Sequence, residues 1–230
     1  MIRAFIETSL IDWDGKLTSV LFFDRCNFRC PFCQNWELIL HPENFPIFSE
    51  NEILDKLKTK RNWIDGVVLT GGEPSLFFED VFELAKKIKN LGLGVKLDTN
   101  GSFPERLLKL IKEKAIDYVA MDIKASLGHY SSAAGVQDAR IIEKVRMSIK
   151  LLLNGELDYE FRTTCVPGFI DKDALREIGE EIRGAKSWVL QRFISKNAHD
   201  ERLRGKEYSL NELKELLDVA RQYVSSAKLR

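Results

Sequence analysis

The sequence lacks an excess of charge of either sign. It contains 35 Lys and Arg residues and 35 Asp and Glu residues, so its formal net charge at pH 7 is zero. Proteins that bind nucleic acids usually carry a basic excess that pairs with the phosphates. We therefore expect no nucleic acid among the partners of this protein.

The sequence also lacks a long apolar run. No stretch approaches the roughly 20 apolar residues that are needed to cross a bilayer. The first residues include Glu7, Asp12 and Asp14, and they lack the apolar centre of a signal peptide. We expect a cytoplasmic protein that does not contact membranes. Apolar residues still make up 44% of the chain, which is enough for a large core.

Cysteine is scarce, and its distribution is uneven. Of the four cysteines, Cys26, Cys30 and Cys33 fall within eight residues, and Cys165 is distant in sequence. This spacing is unsuited to a disulfide framework and is typical of a metal site.

Short apolar runs alternate with amphipathic helical patterns along the chain. The runs, which predict buried strands, cover residues 17–23, 67–70, 95–98, 118–122, 159–164 and 188–191. Alternating strands and helices indicate a parallel sheet with the helices outside. A closed eight-unit barrel typically needs ~250 residues, so six units predict an α/β fold of the open partial (β/α)6 barrel type.

We expect one domain over residues 1–230. Residues 1–16 form an N-terminal extension, residues 17–193 form the core, and residues 194–230 form a C-terminal loop and helix. In such folds, ligands bind at the carboxyl ends of the strands. Polar and small residues follow these ends here, which predicts an active site at one edge of the sheet.

The three clustered cysteines directly follow the first predicted strand. Three thiolates on one loop can ligate an iron–sulfur cluster and leave one iron open. A zinc site is an alternative, although structural zinc usually takes four ligands and the other nearby candidate is His41. A redox pair of Cys30 and Cys33, or unligated core thiols, are further alternatives.

The pattern Cys-x3-Cys-x-aromatic-Cys, followed by the segment Gly71-Gly72-Glu73-Pro74 after the second strand, resembles the radical S-adenosylmethionine (radical SAM) superfamily over at least residues 17–193. The resemblance implies a [4Fe–4S] cluster on Cys26, Cys30 and Cys33. It implies that S-adenosylmethionine binds the open iron and is cleaved reductively to a 5′-deoxyadenosyl radical. It also implies an electron donor such as flavodoxin or ferredoxin.

The segment from Gly71 to Pro74 is implied to bind the amino group of S-adenosylmethionine. Its glycines allow close backbone approach, and Glu73 is expected to place an acceptor at the sheet edge. By itself, this segment also fits an ordinary turn between a strand and a helix.

Two further segments resemble glycyl radical enzyme activating enzymes. They are Leu97 to Gly101, which contains Asp98, Thr99 and Asn100, and Met121 to Lys124, which contains Asp122. The resemblance implies that Asp98, Thr99 and Asp122 hold a monovalent cation beside S-adenosylmethionine, and hard oxygen ligands suit such an ion. Helix capping and buried hydrogen bonding are the structural alternatives.

Two basic residues are also candidates for cofactor binding. Lys124 is expected either to pair with Asp122 or to face the cofactor carboxylate. Arg162 lies in an apolar strand and needs an anionic partner, which is either that carboxylate or an internal aspartate. We interpret Cys165 as a small core residue.

The opening residues 5–13 resemble the activating proteins of anaerobic ribonucleoside-triphosphate reductases, and they are expected to run beside the first strand. The predicted function is therefore to generate a glycyl radical on a partner enzyme. The alternatives are a small-molecule radical SAM enzyme, similar to 7-carboxy-7-deazaguanine synthase, and a non-catalytic metal-binding module. A basic stretch over residues 192–206 is a candidate docking face for an acidic partner, with a solvated loop as the alternative.

Overall fold

A computed structural model describes all 230 residues. The eight strands belong to one sheet in the order β1 to β8, and this order is also the order along the chain. The strands are β1 (Ile2–Ser9), β2 (Thr18–Phe23), β3 (Gly66–Gly71), β4 (Gly94–Thr99), β5 (Tyr118–Asp122), β6 (Asp158–Cys165), β7 (Trp188–Arg192) and β8 (Lys228–Leu229).

Eight α-helices lie between β2 and β8. They are α1 (Trp36–Leu40), α2 (Glu50–Lys60), α3 (Phe78–Asn90), α4 (Pro104–Lys112), α5 (Tyr130–Ala134), α6 (Arg140–Leu153), α7 (Lys172–Glu181) and α8 (Leu210–Arg221). None of them is long and apolar enough to span a membrane.

The sheet is mostly parallel. Parallel pairing joins β2 to β3, β3 to β4, β6 to β7 and β7 to β8. The predicted α/β class with alternating parallel strands is confirmed, and the six predicted strands correspond to β2 through β7. The expectation that the N-terminal residues run beside the first predicted strand is also confirmed, because β1 pairs antiparallel with β2.

The helices begin where the local sequence predicts. Capping boxes at Ser49 with Glu52 and at Ser209 with Glu212 start α2 and α8. Pro104 occupies the first position of α4, where its missing N–H is tolerated. These local features determine where α2, α4 and α8 begin.

The chain divides into two compact units. The first contains residues 1–27, 35–99 and 105–119, and the second contains residues 28–34, 100–104 and 120–230. In the first unit, β2, β3 and β4 are almost completely buried. Trp13 packs beside them against Val20 and Val68, and its ring centroid is 5.7 Å from that of Tyr118.

In the second unit, β6 and β7 form the centre of the core. Phe161 and Trp188 are fully buried, and the Trp188 indole N–H donates a 3.0 Å hydrogen bond to Thr163 Oγ1. Burying a large indole with its polar atom paired adds apolar area without an unsatisfied donor.

Candidate active site

The segment Gly71 to Pro74 in the first unit lies against the start of the cysteine loop. The Gly72 N–H donates to the Phe23 carbonyl at 2.8 Å, and the Glu73 N–H donates to the Arg25 carbonyl at 2.9 Å. A Cβ atom at Gly72 would lie 1.8 Å from the Arg25 carbonyl oxygen, so only glycine permits this approach. The segment therefore fixes the backbone directly before Cys26.

The Glu73 side chain points into the protein, whereas we expected it to place an acceptor at the sheet edge. Its side chain is completely buried. Oε1 accepts hydrogen bonds from the Ser75 N–H at 3.0 Å and from Thr99 Oγ1 at 2.8 Å. A buried carboxylate requires such donors, and the bond from Thr99 connects the end of β4 to the segment that follows β3.

Asp98 lies beside a buried lysine that the sequence analysis missed. Lys96 is only 1% exposed, and its Nζ is 3.5 Å from Asp98 Oδ1. The ammonium group also donates to the Asp12 carbonyl, and Thr70 Oγ1 donates to Asp98 Oδ2 at 3.1 Å. A lysine two positions before an aspartate on one strand lies on the same face of the sheet, and this spacing was the available signal.

In the second unit, Asp122 is held between two cationic side chains. Its Oδ2 is 3.0 Å from Lys124 Nζ, and its Oδ1 accepts from Arg162 Nε at 2.8 Å. Lys124 and Arg162 thus both pair with an internal aspartate, which is one of the two alternatives that the sequence left open. Burial opposes ionisation of Asp122, but Arg162 and Lys124 outweigh burial and lower its pKa to about 2.

The remaining cysteines of the loop lie in the second unit. Cys30 is buried and Cys33 is partly exposed, and neither forms a disulfide. Burial raises the pKa of Cys30 to about 11, whereas the positive charge of Lys124 acts in the opposite direction. Cys165 is fully buried and burial raises its pKa to about 12, in keeping with its interpretation as a small core residue.

A C-terminal loop supports the cysteine loop within the second unit. The His199 N–H donates to the Cys33 carbonyl at 3.2 Å, and the Asp200 N–H donates to the Pro31 carbonyl at 2.8 Å. Gln34 Nε2 donates to the Ile194 carbonyl at 3.0 Å. These contacts join residues far apart in sequence, and no local pattern predicts them.

The basic residues of that loop are largely paired with its acidic residues. Arg202 forms a bidentate pair with Asp200, with a closest distance of 2.6 Å, and Arg204 Nη1 lies 2.9 Å from Glu201. The free basic charge of this stretch is therefore smaller than the sequence count indicates. The docking face remains a prediction.

Asn100 acts in a local turn. Its Oδ1 accepts from the Ser102 N–H at 3.0 Å and from Ser102 Oγ at 2.6 Å. Because Asn100 is also nearly buried, this bonding accounts for its side chain without a cofactor, and its predicted contact with S-adenosylmethionine stays a prediction.

No three His, Cys, Asp or Glu side chains are grouped closely enough to hold a single metal ion. A structural zinc ion requires four ligands around one point. An iron–sulfur cluster is different, because each thiolate binds its own iron. The three cysteines lie outside disulfides, and their role as cluster ligands stays a prediction.

Comparison with known proteins identifies related sequences. A family model described as the radical SAM superfamily matches residues 20–176. The sequence is 32% identical to a candidate glycyl-radical enzyme activating enzyme of Methanocaldococcus jannaschii, over 100% of this chain and 95% of that protein.

Two further relatives match about half of the chain. A candidate GTP 3′,8-cyclase of Thermococcus kodakarensis is 30% identical over 56% of this chain and 42% of that protein. The pyruvate formate-lyase-activating enzyme of Clostridium pasteurianum is 29% identical over 54% of this chain and 52% of that protein.

Among solved structures, Streptococcus suis SuiB bound to S-adenosylmethionine superposes with a TM-score of 0.69 at 14% identity, over 92% of this chain. The present chain spans about half, 51%, of the length of SuiB. The likeness shows that the two proteins share a fold.

Proposed function

Because the chain belongs to the radical SAM superfamily, we propose that it is an activating enzyme that generates a glycyl radical on a partner enzyme. The observation that carries this proposal is the 32% identity to the M. jannaschii protein along the full length of the chain. We propose a partner of the anaerobic ribonucleotide reductase class, because residues 5–13 resemble the activating proteins of those enzymes. Residues 1–230 would act as one functional domain.

We propose that Cys26, Cys30 and Cys33 hold a [4Fe–4S] cluster. The donor set fits this group, because these thiols are outside disulfides and the loop that carries them is fixed by backbone hydrogen bonds. When bound, the cluster and S-adenosylmethionine supply electron transfer and a 5′-deoxyadenosyl radical, which removes a hydrogen atom from the substrate. The chain positions these groups and keeps water away.

The chain's own residues contribute in two ways to the proposed binding of S-adenosylmethionine. In the first unit, Gly71 to Pro74 offer backbone groups close to Cys26, and the predicted contacts at Asp98 and Thr99 lie on β4. In the second unit, Asp122 orients Lys124 and Arg162, which are the cationic groups that would attract a carboxylate. Asn100 would contribute through the turn that it stabilises.

We retain a monovalent cation at Asp98, Thr99 and Asp122 as part of the proposal. In the structure these carboxylates already have cationic neighbours, Lys96 in one unit and Lys124 in the other. A potassium or sodium ion would have to share the carboxylates with these ammonium groups. The cation therefore requires an experiment of its own.

A small-molecule substrate is the second candidate. The similarity to a candidate GTP 3′,8-cyclase over about half of the chain favours it, and a reaction similar to that of 7-carboxy-7-deazaguanine synthase belongs to the same class. In both candidates a small electron-transfer protein, such as flavodoxin or ferredoxin, would reduce the cluster.

One experiment separates these functions. The protein is reconstituted anaerobically with iron and sulfide, reduced with dithionite, and incubated with S-adenosylmethionine and an anaerobic ribonucleotide reductase that carries glycine deuterated at Cα. The proposal expects deuterium in the 5′-deoxyadenosine and a glycyl radical signal in the electron paramagnetic resonance spectrum. Cleavage without deuterium transfer would favour a small-molecule substrate, and absence of cleavage would indicate a binding module.

A further inference from the structure

Asn35, which lies two positions after Cys33, makes a contact that the sequence analysis did not predict. Its side-chain Nδ2 donates a 3.1 Å hydrogen bond to the Gly71 carbonyl oxygen, and both residues belong to the first unit. Gly71 is the last residue of β3 and the first residue of the segment Gly71 to Pro74. The contact therefore joins the exit of the cysteine loop to the segment that is proposed to bind S-adenosylmethionine.

The same segment also holds the entry of the cysteine loop. The Glu73 N–H donates to the Arg25 carbonyl at 2.9 Å, directly before Cys26. Residues 71 and 73 are thus bonded to the chain on either side of the three cysteines. At the entry the contact uses only backbone atoms, so no side chain determines it. At the exit it depends on the amide group of Asn35, which a substitution can remove.

The peptide group between Gly71 and Gly72 is bonded at both of its polar atoms. Its carbonyl accepts from Asn35, and its N–H donates to the Phe23 carbonyl at 2.8 Å. Gly71 has a φ of +109°, and a Cβ there would lie 2.5 Å from the Phe23 backbone nitrogen, so this position requires glycine. Glycine allows the backbone more conformations than other residues do. The two hydrogen bonds therefore select one orientation of this peptide group.

The next peptide group presents an acceptor. Its N–H, which belongs to Glu73, is bonded to Arg25, whereas the Gly72 carbonyl accepts no hydrogen bond from the protein. Gly72 is partly exposed, so its carbonyl can accept from a ligand. An ammonium group suits this oxygen, because it carries three N–H donors and no acceptor. The direction of the Gly72 carbonyl depends on the preceding peptide group, which Asn35 holds.

We propose that Asn35 is a positioning residue for S-adenosylmethionine. By holding the Gly71 carbonyl, it fixes the Gly72 carbonyl as an acceptor for the ammonium group of the cofactor. The inference rests on the proposed binding of S-adenosylmethionine by this chain. It assigns a role to a residue that lies outside both the cysteine pattern and the segment Gly71 to Pro74.

Two variants of Asn35 and one matched control test this role. Asn35→Ala removes the amide group, and Asn35→Asp keeps its shape but places a carboxylate oxygen against the Gly71 carbonyl. The control is Asn154→Ala. Asn154 Nδ2 also donates to a backbone carbonyl, that of Lys150 at 2.9 Å, and Asn154 lies at the exposed end of α6.

Hydrogen exchange of the protein without a cluster measures the support that Asn35 gives to the segment. The N–H groups of Gly72 and Glu73 are both bonded in the wild type. The loss of one hydrogen bond predicts roughly three- to tenfold faster exchange of these two groups in both Asn35 variants. The control should exchange at the wild-type rate there. Wild-type exchange in both Asn35 variants would overturn the proposal, because the contact would then not hold the segment.

A comparison of two ligands separates positioning from a general loss of structure. The ligands are S-adenosylmethionine and its 2-oxo analogue, in which a keto oxygen replaces the ammonium group and the carboxylate is retained. The reconstituted Asn35→Ala protein should bind S-adenosylmethionine roughly three- to tenfold more weakly than the wild type. It should bind the 2-oxo analogue as the wild type does, and the control should bind both ligands normally. Equal weakening for both ligands, or no weakening for either, would overturn the role of Asn35.

The outcomes also separate this inference from the proposed function. Unchanged affinities together with deuterium transfer from the partner glycine would overturn the role of Asn35 alone. A selective loss of S-adenosylmethionine affinity without radical transfer to a partner would uphold this role and contradict the glycyl radical function. A protein that binds no S-adenosylmethionine after reconstitution would overturn both.

Discussion

The hydroxyl of Thr99 donates a 2.8 Å hydrogen bond to Glu73, whose carboxylate is completely buried. This contact connects the end of β4 to the segment after β3. Replacing Thr99 with Val keeps the shape but removes the donor, and a hydrogen bond to a charged group contributes about 1.5–3 kcal/mol. We expect Thr99→Val to lower the free energy of unfolding by that amount, measured in urea.

Thr99→Ser is the control for this prediction, because it retains the hydroxyl and should recover most of the stability. If Thr99→Val were as stable as Thr99→Ser, the hydrogen bond would contribute nothing measurable to folding.

The three clustered cysteines should be distinguishable from the fourth. We expect Ala at Cys26, Cys30 or Cys33 to abolish assembly of the cluster or cleavage of S-adenosylmethionine, because each thiolate binds one iron. Cys165→Ala should retain both and should cost only on the order of 1 kcal/mol of stability, from the small cavity. Iron and sulfide analysis and 5′-deoxyadenosine formation are the measurements. Normal cleavage by Cys30→Ala would contradict the assignment.

Asp122 should make stability depend on pH in the acid range. The positive charges of Arg162 and Lys124 outweigh burial and lower the pKa of Asp122 from its ordinary value of 3.8 to about 2 in the folded protein. A lowered carboxyl pKa stabilises the fold above the unfolded value, and this stability is lost as the pH falls through the folded value. Because the side chain is about one-fifth exposed, we expect a contribution of at most about 2 kcal/mol.

Urea unfolding of wild type and Asp122→Asn tests this prediction. Above pH ~4 the variant should be clearly less stable, because Lys124 and Arg162 lose their anion. The difference between the two proteins should shrink as the pH approaches 2. A difference that is constant between pH 6 and pH 2 would show that ionised Asp122 does not stabilise the fold.

Lys96 and the proposed cation can be tested together. Lys96→Met removes the ammonium that lies 3.5 Å from Asp98. Breaking a buried ion pair typically costs about 3–5 kcal/mol, so the variant should unfold at lower urea concentration. If the Asp98 carboxylate accepts alkali ions, potassium chloride should restore part of the lost stability of Lys96→Met, whereas choline chloride should not.

The same salts test the cation in catalysis. The cation proposal expects wild-type cleavage of S-adenosylmethionine to depend on potassium or sodium. A rate that is indifferent to the identity of the salt cation would leave Asp98, Thr99 and Asp122 with structural roles only.

The C-terminal loop offers a test of partner docking. Arg202 and Arg204 are paired with acids of the loop, so their reversal would also disturb the support of the cysteine loop. Lys196→Glu with Lys206→Glu is the better variant. It should slow activation of an acidic partner at low salt and leave partner-free cleavage of S-adenosylmethionine unchanged. The control is the double variant Lys150→Glu with Lys214→Glu, whose lysines lie on exposed helix surfaces. If activation were slowed equally in the two double variants, a specific docking face would be ruled out.

Local patterns predicted much of the fold. The apolar runs marked β2 to β7, and capping boxes marked the starts of α2 and α8, because these features depend on residues close in sequence. The elements α1, α5 and β8 were missed because each contains only two to five residues. The N-terminal residues were expected to run beside the first predicted strand, but their pairing as the edge strand β1 was not predicted, because its partner lies across a turn.

Membership of the radical SAM superfamily was also readable from the sequence, because the thiolate spacing and the Gly71 to Pro74 segment are local and specific. The hydrogen-bond and ion-pair partners of the side chains were not readable from the sequence. The sequence allowed Arg162 to face either a cofactor or an aspartate, and only the tertiary structure placed it 2.8 Å from Asp122. Likewise, Tyr130 lies in a polar segment of the sequence but is fully buried in the structure. Burial and pairing depend on residues distant in the chain, and these are set only when the strands and loops pack together.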